Sequence, residues 1–516
     1  MNEIELKFQI DEAATRHLRA RVRTLRLASG KTSTRTLRSV YLDTPAHALK
    51  KAGITLRMRR DGRRWIQTVK TAPILYGGLS QVGETENPAP GGRVSLQAIP
   101  DPVVRDVVMR SVNGAVLQPV CETVMKRTAV MLASKSGTRA ELAIDVGEIH
   151  ADGRSAEFRE AEIELIEGGT RGLFDMAQGL LPDDGWRFSR LSKGARGYLL
   201  AEQGRIEPEV KPQTARIVAL DRGQTVEQAA RDILRECFDQ ISTNVVVVRM
   251  IDDLEGPHQL RVGLRRLRSA LTIFSSVLDC PEMIRLQSEA RWLGQEVGRL
   301  RDIDVISREI VGREAGSHPD EPGLAALVQA LAPRAAERRR DLCQILSEAR
   351  VHTFLLDLAR FVETRGWLLP HDFGQTERLA EQIGEFAGRA INRRWKKVCR
   401  GGQGVIGLDI EQRHDLRKEL KKLRYVVEFL APLYQAKRVA PFVKRLRNLQ
   451  TIFGDFNDAA TVKALFADPA FVGAYDPATQ RAVGWVIGAS LARADCGWAG
   501  VQILWRELTE ARRFWK

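Results

Sequence analysis

Charged and apolar side chains alternate along the first 200 residues, and this alternation constrains the fold more than any other feature of the chain. The opening segment Glu3–Lys7 places two carboxylates and an ammonium on one face of a strand and apolar side chains on the other. Similar segments with charge on one face recur at 56–59, 65–70, 84–86, 141–145 and 160–165. For a single strand, a solvent-exposed face explains the pattern better. Many strands carrying both signs of charge indicate a closed barrel with a charged interior.

The charged face of the opening strand suits a particular chemistry. Glu3, Glu5 and Lys7 would be spaced roughly 6–7 Å apart along a strand. Carboxylates bind hard divalent cations, and an ammonium pairs with phosphate oxygens. Most sequences of this form lie on solvated faces of strands or helices. The motif at Glu3–Lys7 therefore supports a metal and phosphate site only together with the segments that follow it.

Nine motifs in this region occur in a characteristic order, namely EIELK at 3–7, YLDT at 41–44, LRMRR at 56–60, TVK at 68–70, GETE at 83–86, KRT at 126–128, AIDVG at 143–147, EAEIEL at 160–165 and LSKGARGY at 191–198. Over about residues 1–203 they resemble the CYTH family, also called the triphosphate tunnel metalloenzymes. The resemblance implies an eight-stranded antiparallel β-tunnel. It also implies cleavage of triphosphates with a divalent metal, formation of cyclic AMP, or hydrolysis of thiamine triphosphate.

The same resemblance implies site residues, matched position by position. The family's metal-binding carboxylates correspond to Glu3, Glu5, Asp145, Glu162 and Glu164, with Mg²⁺ or Mn²⁺ as the implied cofactor. The basic residues that grip the triphosphate correspond to Lys7, Arg57, Arg59, Lys70, Arg127 and Lys193, with Arg196 as a further candidate. Val82 and Val146 stand where the family often has arginine. We therefore expect an intact site with a weaker grip on highly charged substrates.

The periodicity changes after the first 200 residues. Between Glu202 and Val226 the chain is polar, with Pro208, Pro212 and Gly223, which is typical of a linker. Apolar residues then recur at steps of three and four, which predicts helices. Since 516 residues are too many for one core, the predicted division is a tunnel domain at 1–203, a linker at 204–217 and a helical domain at 218–516.

The helical half contains an internal repeat. HQLRVGLRRLR at 258–268 returns as HDLRKELKKLR at 414–424, and the same offset pairs Asp302 with Asp458. Duplicated helical units usually pack as pseudo-symmetric bundles. In each copy the basic residues fall on one helix face, and we name these faces the first basic stripe (His258, Arg261, Arg265 and Arg268) and the second basic stripe (His414, Arg417, Lys421 and Arg424).

A solvated basic face is the simplest explanation of such a stripe. Against this explanation, we expect no acid four positions along the helix to neutralise either stripe. Like charges at that spacing each cost a few tenths of a kcal/mol. Their retention in both copies favours an anionic ligand that supplies the missing charge.

These segments, with LRDID at 300–304 and FGDFNDA at 453–459, resemble the CHAD domain (conserved histidine α-helical domain) over about 218–512. The resemblance implies an α+β multidomain chain whose all-α part forms two pseudo-symmetric four-helix bundles around a basic cavity that binds inorganic polyphosphate. The implied polyphosphate-binding residues are His258, Arg261, Arg265, Arg266, Arg268, His414, Arg417, Lys418, Lys421, Lys422 and Arg424. Asp302 and Asp458 are expected to orient basic side chains.

The amino-acid composition limits which classes of partner the chain is expected to bind. The chain has 80 Lys and Arg against 65 Asp and Glu, a net charge of +15, which indicates a polyanionic partner. Aromatic residues make up only 6%, and no helix-turn-helix or zinc-finger spacing occurs, which argues against sequence-specific nucleic acid binding. Six scattered cysteines and the lack of a signal peptide or long apolar run predict a cytoplasmic protein without membrane association. The polyphosphate binding implied by the CHAD resemblance extends this expectation to association with polyphosphate granules in the cytoplasm. Oligomeric state is open.

The predicted function is therefore a metal-dependent inorganic triphosphatase with a polyphosphate-binding helical domain. One alternative is a polyphosphate-binding or granule-targeting protein with weak or no catalysis. An adenylate cyclase and a thiamine triphosphatase are less favoured. The sequence leaves the substrate open, because tunnel residues contact phosphates more than the rest of a substrate.

Overall fold

A computed structural model describes residues 2–24, 30–467 and 476–516. It divides into two compact units, the first formed by Met1–Val210 with Ser347–Gly366 and the second by Lys211–Leu346 with Trp367–Lys516. The first is built on a β-barrel, and the second is helical. The predicted fold class is thus confirmed.

The strands of the first unit are β1 (Asn2–Ile10), β2 (Ser33–Asp43), β3 (Ile54–Asp61), β4 (Arg64–Tyr76), β5 (Leu79–Pro88), β6 (Gln118–Ala133), β7 (Arg139–Ala151), β8 (Arg154–Glu167) and β9 (Trp186–Phe188). They pair in the order β5-β4-β3-β2-β6-β7-β8-β1-β9, and a further pairing of β5 with β1 closes an eight-stranded antiparallel tunnel. Two tight hairpins help set the register. Gly77–Gly78 joins β4 to β5 and Asp152–Gly153 joins β7 to β8, both with positive φ, as such two-residue turns require.

The helices of the first 210 residues are α1 (Glu12–Thr24), α2 (Ala48–Lys51), α3 (Pro102–Val112), α4 (Thr170–Leu180) and α5 (Lys193–Gln203). An apolar core joins the outer faces of β3 and β4 to α2 and α3. Helix α5 instead packs with residues that point into the tunnel, where Leu200 joins Tyr41, Cys121 and Phe158. The interior therefore has an apolar part next to α5, and its remaining wall is charged.

The later helices, in chain order, are α6 (Val226–Met250), α7 (Glu255–Ile273), α8 (Ser275–Leu278), α9 (Pro281–Asp304), α10 (Gly312–Ser317), α11 (Pro322–Leu346), α12 (Ala349–Glu363), α13 (Phe373–Ala380), α14 (Ile383–Gly401), α15 (Ile410–Leu430), α16 (Ala436–Phe466), α17 (Pro477–Ala499) and α18 (Val501–Thr509). A π-helical turn, Val305–Val311, follows α9. Among the described residues, no helix is both long enough and apolar enough to cross a bilayer.

The repeat seen in the sequence is a repeat of four helices. The starts of α6, α7, α9 and α11 precede those of α14, α15, α16 and α17 by 155 to 157 residues. Both stripe helices, α7 and α15, bury leucines on the side away from their basic residues, for example Leu260 and Leu264 in the first copy and Leu416 and Leu420 in the second. The same local pattern thus gives each copy one core face and one basic face.

Helix α12 belongs to the first unit although it lies within the helical half of the sequence. It packs against α4, where Arg360 Nη1 lies 3.0 Å from Asp175 Oδ1. The His352 ring lies 5.1 Å from the Trp186 ring of β9, which contacts Phe8 of β1 at 5.3 Å. The predicted boundaries at 203 and 218 do not anticipate this placement, because helical periodicity does not reveal which core a helix joins.

Candidate functional site

The charged face of β1 lies beside that of β8 inside the tunnel. In the register of these strands Glu5 is opposite Glu164 and Lys7 is opposite Glu162. On the next strand, β7, Asp145 is opposite Glu160 of β8. Antiparallel partners project to the same side of a sheet. The alternation predicted from the sequence therefore brings the carboxylates of three strands together on one inner wall.

Most cations of the tunnel are paired with these carboxylates. Lys7 Nζ lies 2.7 Å from Glu5 Oε1 and 3.3 Å from Glu162 Oε1. Lys193 Nζ, at the start of α5, lies 2.7 Å from Glu162 Oε1 and 2.9 Å from Asp145 Oδ2. Arg127 of β6 donates hydrogen bonds from Nε and Nη2 to the two carboxylate oxygens of Asp145. Its Nη2 also lies 2.5 Å from Glu162 Oε2. Lys70 of β4 pairs with Glu3.

Asp145 and Glu162 are held as anions by this network. Burial by itself would raise the pKa of both, but Lys193 and Arg127 outweigh it at Asp145. At Glu162 the same two cations and Lys7 place the pKa well below its ordinary value. These two carboxylates therefore fix the positions of Lys7, Arg127 and Lys193.

Glu5 and Glu164 have the opposite electrostatic environment. The pKa of Glu5 is raised to about 7 by burial and by the carboxylates of Glu162 and Glu3, against the attraction of Lys7. The pKa of Glu164 is also raised to about 7, by burial and by Glu3, Glu5 and Glu141. Negative charge at Glu5 and Glu164 therefore exceeds what the neighbouring cations neutralise, whereas at Glu3 burial is outweighed by Lys70 and Lys7, which lower its pKa. A bound cation would relieve this repulsion.

A cluster of guanidinium groups forms another part of the inner wall. Arg57 and Arg59 are on β3, and Arg57 Nη2 lies 3.1 Å from Thr68 Oγ1 and 3.4 Å from Glu84 Oε1. The Nε atom of Arg59 is buried and has no hydrogen-bond partner among the described residues. Burial, Arg57 and Arg127 lower the pKa of Arg59 to about 10. A cationic group destabilised in this way suits an anionic ligand.

In the helical unit, the two basic stripes face each other. The pKa of Lys421, on α15, is lowered to about 6 by burial and then by Arg265, Arg417, Arg261 and Arg424. Two of these arginines belong to α7 and two to α15. Such a shift requires both stripes to lie within electrostatic range of one ammonium. In the described part of the chain we find no ion-pair partner for Arg265, Arg268 or Lys421.

Polar contacts orient other members of the stripes. Arg261 Nη1 lies 2.8 Å from Asp302 Oδ1, and in the second copy Arg417 Nη1 lies 2.7 Å from Oδ1 of Asn457, the residue before Asp458. Arg424 Nε lies 3.2 Å from Glu428, four positions along the helix, so the expectation that no such acid neutralises either stripe is wrong for the end of the second stripe. The expectation that acids orient the arginines thus agrees with the contact of Asp302, whereas Asn457 supplies the contact in the second copy.

Family models match both halves of the chain, with a CYTH domain at residues 1–198 and a CHAD domain at residues 232–467. The chain joins a CYTH domain to a CHAD domain. This confirms the family resemblance found in the sequence.

Known proteins resemble each domain. An inorganic triphosphatase of Haemophilus influenzae is 29% identical over 168 residues, which are 32% of this chain and 46% of that protein. The match thus spans less than half of that relative. An uncharacterised protein of Mycobacterium tuberculosis is 26% identical over 457 residues, covering 83% of this chain and 80% of that protein. The crystal structure of the CHAD domain from the plant Ricinus communis is 28% identical, with a TM-score of 0.50, and covers 58% of this chain and 98% of that structure.

Not every residue predicted for the CHAD domain joins the facing stripes. Arg266 is only 5% exposed and pairs with Glu236 at 3.1 Å, so it lies within the helix packing. Lys418 and Lys422 are exposed and pair with acids on their own helix, Asp415 at 3.0 Å and Glu419 at 2.5 Å. The pKa of His258 is lowered by burial and by Arg301, and that of His414 by burial and by Lys418 and Arg417. Both histidines are therefore at the edge of a cationic region.

The CYTH domain has charged inner residues that the sequence-based site omitted. Glu84 contacts Arg57 and Lys70, Glu141 lies opposite Glu164, and Glu160 is fully buried against Lys193. Alternation could have identified Glu160 and Glu84, since each shares a strand face with residues of the predicted site or its contacts. Arg291 of α9, which lowers the pKa of Arg268 after burial, was visible only as part of the repeat.

The two valines that replace family arginines differ in position. Val82 is opposite Glu3 in the register of β5 and β1, so it shares the inner face. Val146 directly follows Asp145 on β7 and pairs with Arg159, so it projects to the outer face. The expectation that both valines weaken the grip on phosphate is therefore wrong for Val146, because alternation turns its side chain away from the interior.

The carboxylates of the CYTH domain fit a divalent cation in chemical type. Mg²⁺ and Mn²⁺ favour carboxylate oxygen, which Glu3, Glu5 and Glu164 provide, and negative charge is in excess at Glu5 and Glu164. Within the described ranges, no set of three or more His, Cys, Asp or Glu side chains is already gathered as a metal site. Glu3 and Glu5 point to Lys70 and Lys7 instead, so a cation would compete with these ammonium groups.

Proposed function

We propose that the CYTH domain hydrolyses a phosphoanhydride bond of inorganic triphosphate with Mg²⁺ or Mn²⁺. The observation that carries the proposal is the presence of a carboxylate cluster and a guanidinium cluster in one tunnel, each with members whose charge the neighbours do not balance. The carboxylate cluster is Glu3, Glu5 and Glu164, in which Glu5 and Glu164 have raised pKa values. The guanidinium cluster is Arg57, Arg59 and Arg127, in which the pKa of Arg59 is lowered. In a metal–triphosphate complex, the positive charge of the metal would be neutralised by the carboxylate cluster and the negative charge of the phosphates by the guanidinium cluster.

Each group has a proposed role. Glu3, Glu5 and Glu164 would hold the cation, which would supply charge neutralisation of the phosphate oxygens and activation of water. Arg57, Arg59 and Arg127 would bind and orient the phosphate chain, since guanidinium groups form paired hydrogen bonds with phosphate. Asp145 and Glu162 would keep Lys193, Lys7 and Arg127 in place while remaining available to the cation. The similarity to an inorganic triphosphatase supports this choice of substrate.

The CHAD domain is proposed to bind inorganic polyphosphate through the facing stripes. Support comes from the pKa of Lys421, lowered to about 6 first by burial and then by arginines of both helices. A flexible chain of phosphates could contact both stripes at once and restore the missing negative charge. The alternative proposal is a polyphosphate-binding protein whose tunnel has weak or no catalysis. It requires the same binding of polyphosphate by the stripes.

A substrate panel tests the proposal. The full chain is incubated with tripolyphosphate, ATP, thiamine triphosphate or long-chain polyphosphate, each with Mg²⁺, Mn²⁺ or a chelator, and released phosphate and cyclic AMP are measured. We expect metal-dependent phosphate release that is fastest with tripolyphosphate. Binding of polyphosphate without hydrolysis of any compound would favour the alternative, and cyclic AMP formation would favour a cyclase.

A further inference from the structure

A buried polar network extends from the tunnel toward the linker, and it begins at Lys193. Besides its contacts with Asp145 and Glu162, Lys193 Nζ lies 2.6 Å from Glu160 Oε2. The other oxygen of Glu160 accepts a hydrogen bond from Ser189 Oγ at 3.0 Å. Glu160 is 0% exposed and Lys193 is 7% exposed. Solvent therefore cannot replace these partners.

Arg196, one turn after Lys193 on α5, continues the network. Its Nη2 donates to Ser189 Oγ at 3.0 Å and lies 3.4 Å from Glu160 Oε1. Its Nε lies 3.1 Å from Glu207 Oε1. Arg196 is 1% exposed, so its charge depends on these two carboxylates. Removing one partner of a buried pair leaves the other charge uncompensated and displaces its neighbours.

Glu207 lies outside every secondary-structure element, three residues before the end of the continuous part of the first unit. It is held from two sides. Gln9 Nε2, on β1, donates to Glu207 Oε1 at 2.6 Å, and Gln9 in turn accepts from Arg187 Nε of β9. The first residues of the linker are thus fastened to the strand that carries Glu3, Glu5 and Lys7.

We propose that Glu207 is a positioning residue that acts through Arg196 and Glu160 on Lys193. With Glu207 in place, Arg196 is shared between two carboxylates, and Glu160 is left to orient Lys193. Without Glu207, Arg196 has Glu160 as its remaining charged partner and draws it away from Lys193. The inference rests on the proposed function together with the role that the CYTH resemblance implies for Lys193, which is to grip the triphosphate.

The experiment compares Glu207→Ala, Glu207→Gln and Glu209→Ala in the full chain. Glu209 is an exposed linker acid two residues away and is the matched control. We measure kcat and KM for tripolyphosphate with Mg²⁺, and Kd for tripolyphosphate by calorimetry, well below the melting temperature of each variant. Glu207→Ala should raise KM and Kd by about three- to tenfold, the size of couplings within one ion-pair network. Glu207→Gln, which keeps an acceptor oxygen, should recover part of the loss.

A double-mutant cycle with Gln9→Ala adds an independent measurement. The effects of Gln9→Ala and Glu207→Ala should not add, whereas those of Gln9→Ala and Glu209→Ala should. Loss of folded protein would lower the apparent kcat alone, so it cannot imitate a change in KM or Kd. The inference is overturned if Glu207→Ala and Glu209→Ala give the same KM and Kd. If the unmodified chain hydrolyses no triphosphate, the proposed function fails, and the Kd comparison alone decides the role of Glu207.

Discussion

The tunnel and the basic stripes both gather cations, but they balance that charge differently. In the tunnel, Lys7, Lys70, Arg127 and Lys193 each contact a carboxylate, and the pKa of Lys193 is raised because its acidic neighbours outweigh burial. In the stripes, Lys421 has arginines as its main charged neighbours, and its pKa is lowered to about 6 by burial and by them. These tunnel cations thus have carboxylate partners within the protein, whereas Arg265, Arg268 and Lys421 of the stripes have no ion-pair partner in the described part of the chain.

This difference has a consequence for specificity. A ligand of the tunnel must compete with carboxylates already paired to the cations, so a metal that occupies those carboxylates would assist phosphate binding. A ligand of the stripes would meet cations such as Arg265 and Lys421, for which the described residues provide no ion-pair partner, and it would need no metal. We therefore expect metal-dependent binding at the tunnel, and metal-independent but strongly salt-sensitive binding at the stripes.

The largest expected effect comes from neutralising both stripes. Changing Arg261, Arg265 and Arg268 to glutamine should weaken polyphosphate binding strongly. The further changes Arg417→Gln, Lys421→Gln and Arg424→Gln should nearly eliminate it, since each charged hydrogen bond contributes roughly 1.5–3 kcal/mol. Fluorescence anisotropy with labelled polyphosphate at two salt concentrations measures this.

Lys418→Gln with Lys422→Gln is the matched control, because these exposed lysines already pair with acids on their own helix. A loss of affinity in this control as large as that in the stripe variant would mean that the whole surface binds by net charge alone. Equal affinity of the unmodified chain for double-stranded DNA would lead to the same conclusion.

The next largest effect concerns the carboxylates of β1. Glu3→Gln with Glu5→Gln should lower phosphate release from tripolyphosphate at least about a hundredfold, or roughly 2.7 kcal/mol, because metal ligands are lost. Steady-state kinetics with Mg²⁺ measures the change, and circular dichroism checks the fold. Glu148→Gln, at an exposed position of β7, should be fully active. A double variant as active as this control would show that the β1 face is not the metal site.

A smaller effect is expected at the guanidinium cluster. Arg59→Ala should raise the KM for tripolyphosphate about tenfold, because a charged hydrogen bond is lost, and Arg59→Lys should recover little of the paired geometry. The adjacent Arg60 is exposed and donates to the Gly62 carbonyl, so Arg60→Ala is the control. Identical KM values for the Arg59 and Arg60 variants would contradict phosphate binding by Arg59.

The smallest expected effect is the uptake of a proton when polyphosphate binds to the stripes. Because the pKa of Lys421 is about 6, its amine is mostly neutral at pH 7, and a bound polyanion should raise that pKa. Binding at pH 7 should therefore take up about one proton per site, and affinity should increase as pH falls toward 6. Calorimetry in two buffers of different ionisation enthalpy measures the uptake. Lys421→Gln should abolish it, while binding at the tunnel should show no such dependence on Lys421.

Local patterns in the sequence predicted much of this arrangement. Alternation placed Glu3, Glu5 and Glu164 on inward faces, and the repeat placed Arg261 and Arg417 at equivalent positions. The resemblance to the CHAD family also suggested Lys418 and Lys422, which lie on the same helix as the second stripe but pair with other partners. Only a few residues per helical turn lie on any one face. A match to a continuous sequence motif therefore includes residues on faces other than the one that forms the stripe.

The sequence by itself determined the strand faces, the change from strands to helices and the duplicated basic stripes, because backbone periodicity fixes which side chains share a face. Only the tertiary structure decided which cation meets which carboxylate, as in the contact of Lys7 with Glu162, and why Glu5 and Glu164 have raised pKa values. It also decided that α12 packs in the first unit and that Glu207 reaches Arg196. These features join residues far apart in the chain, and their geometry depends on strand register and tunnel closure, which no local pattern specifies.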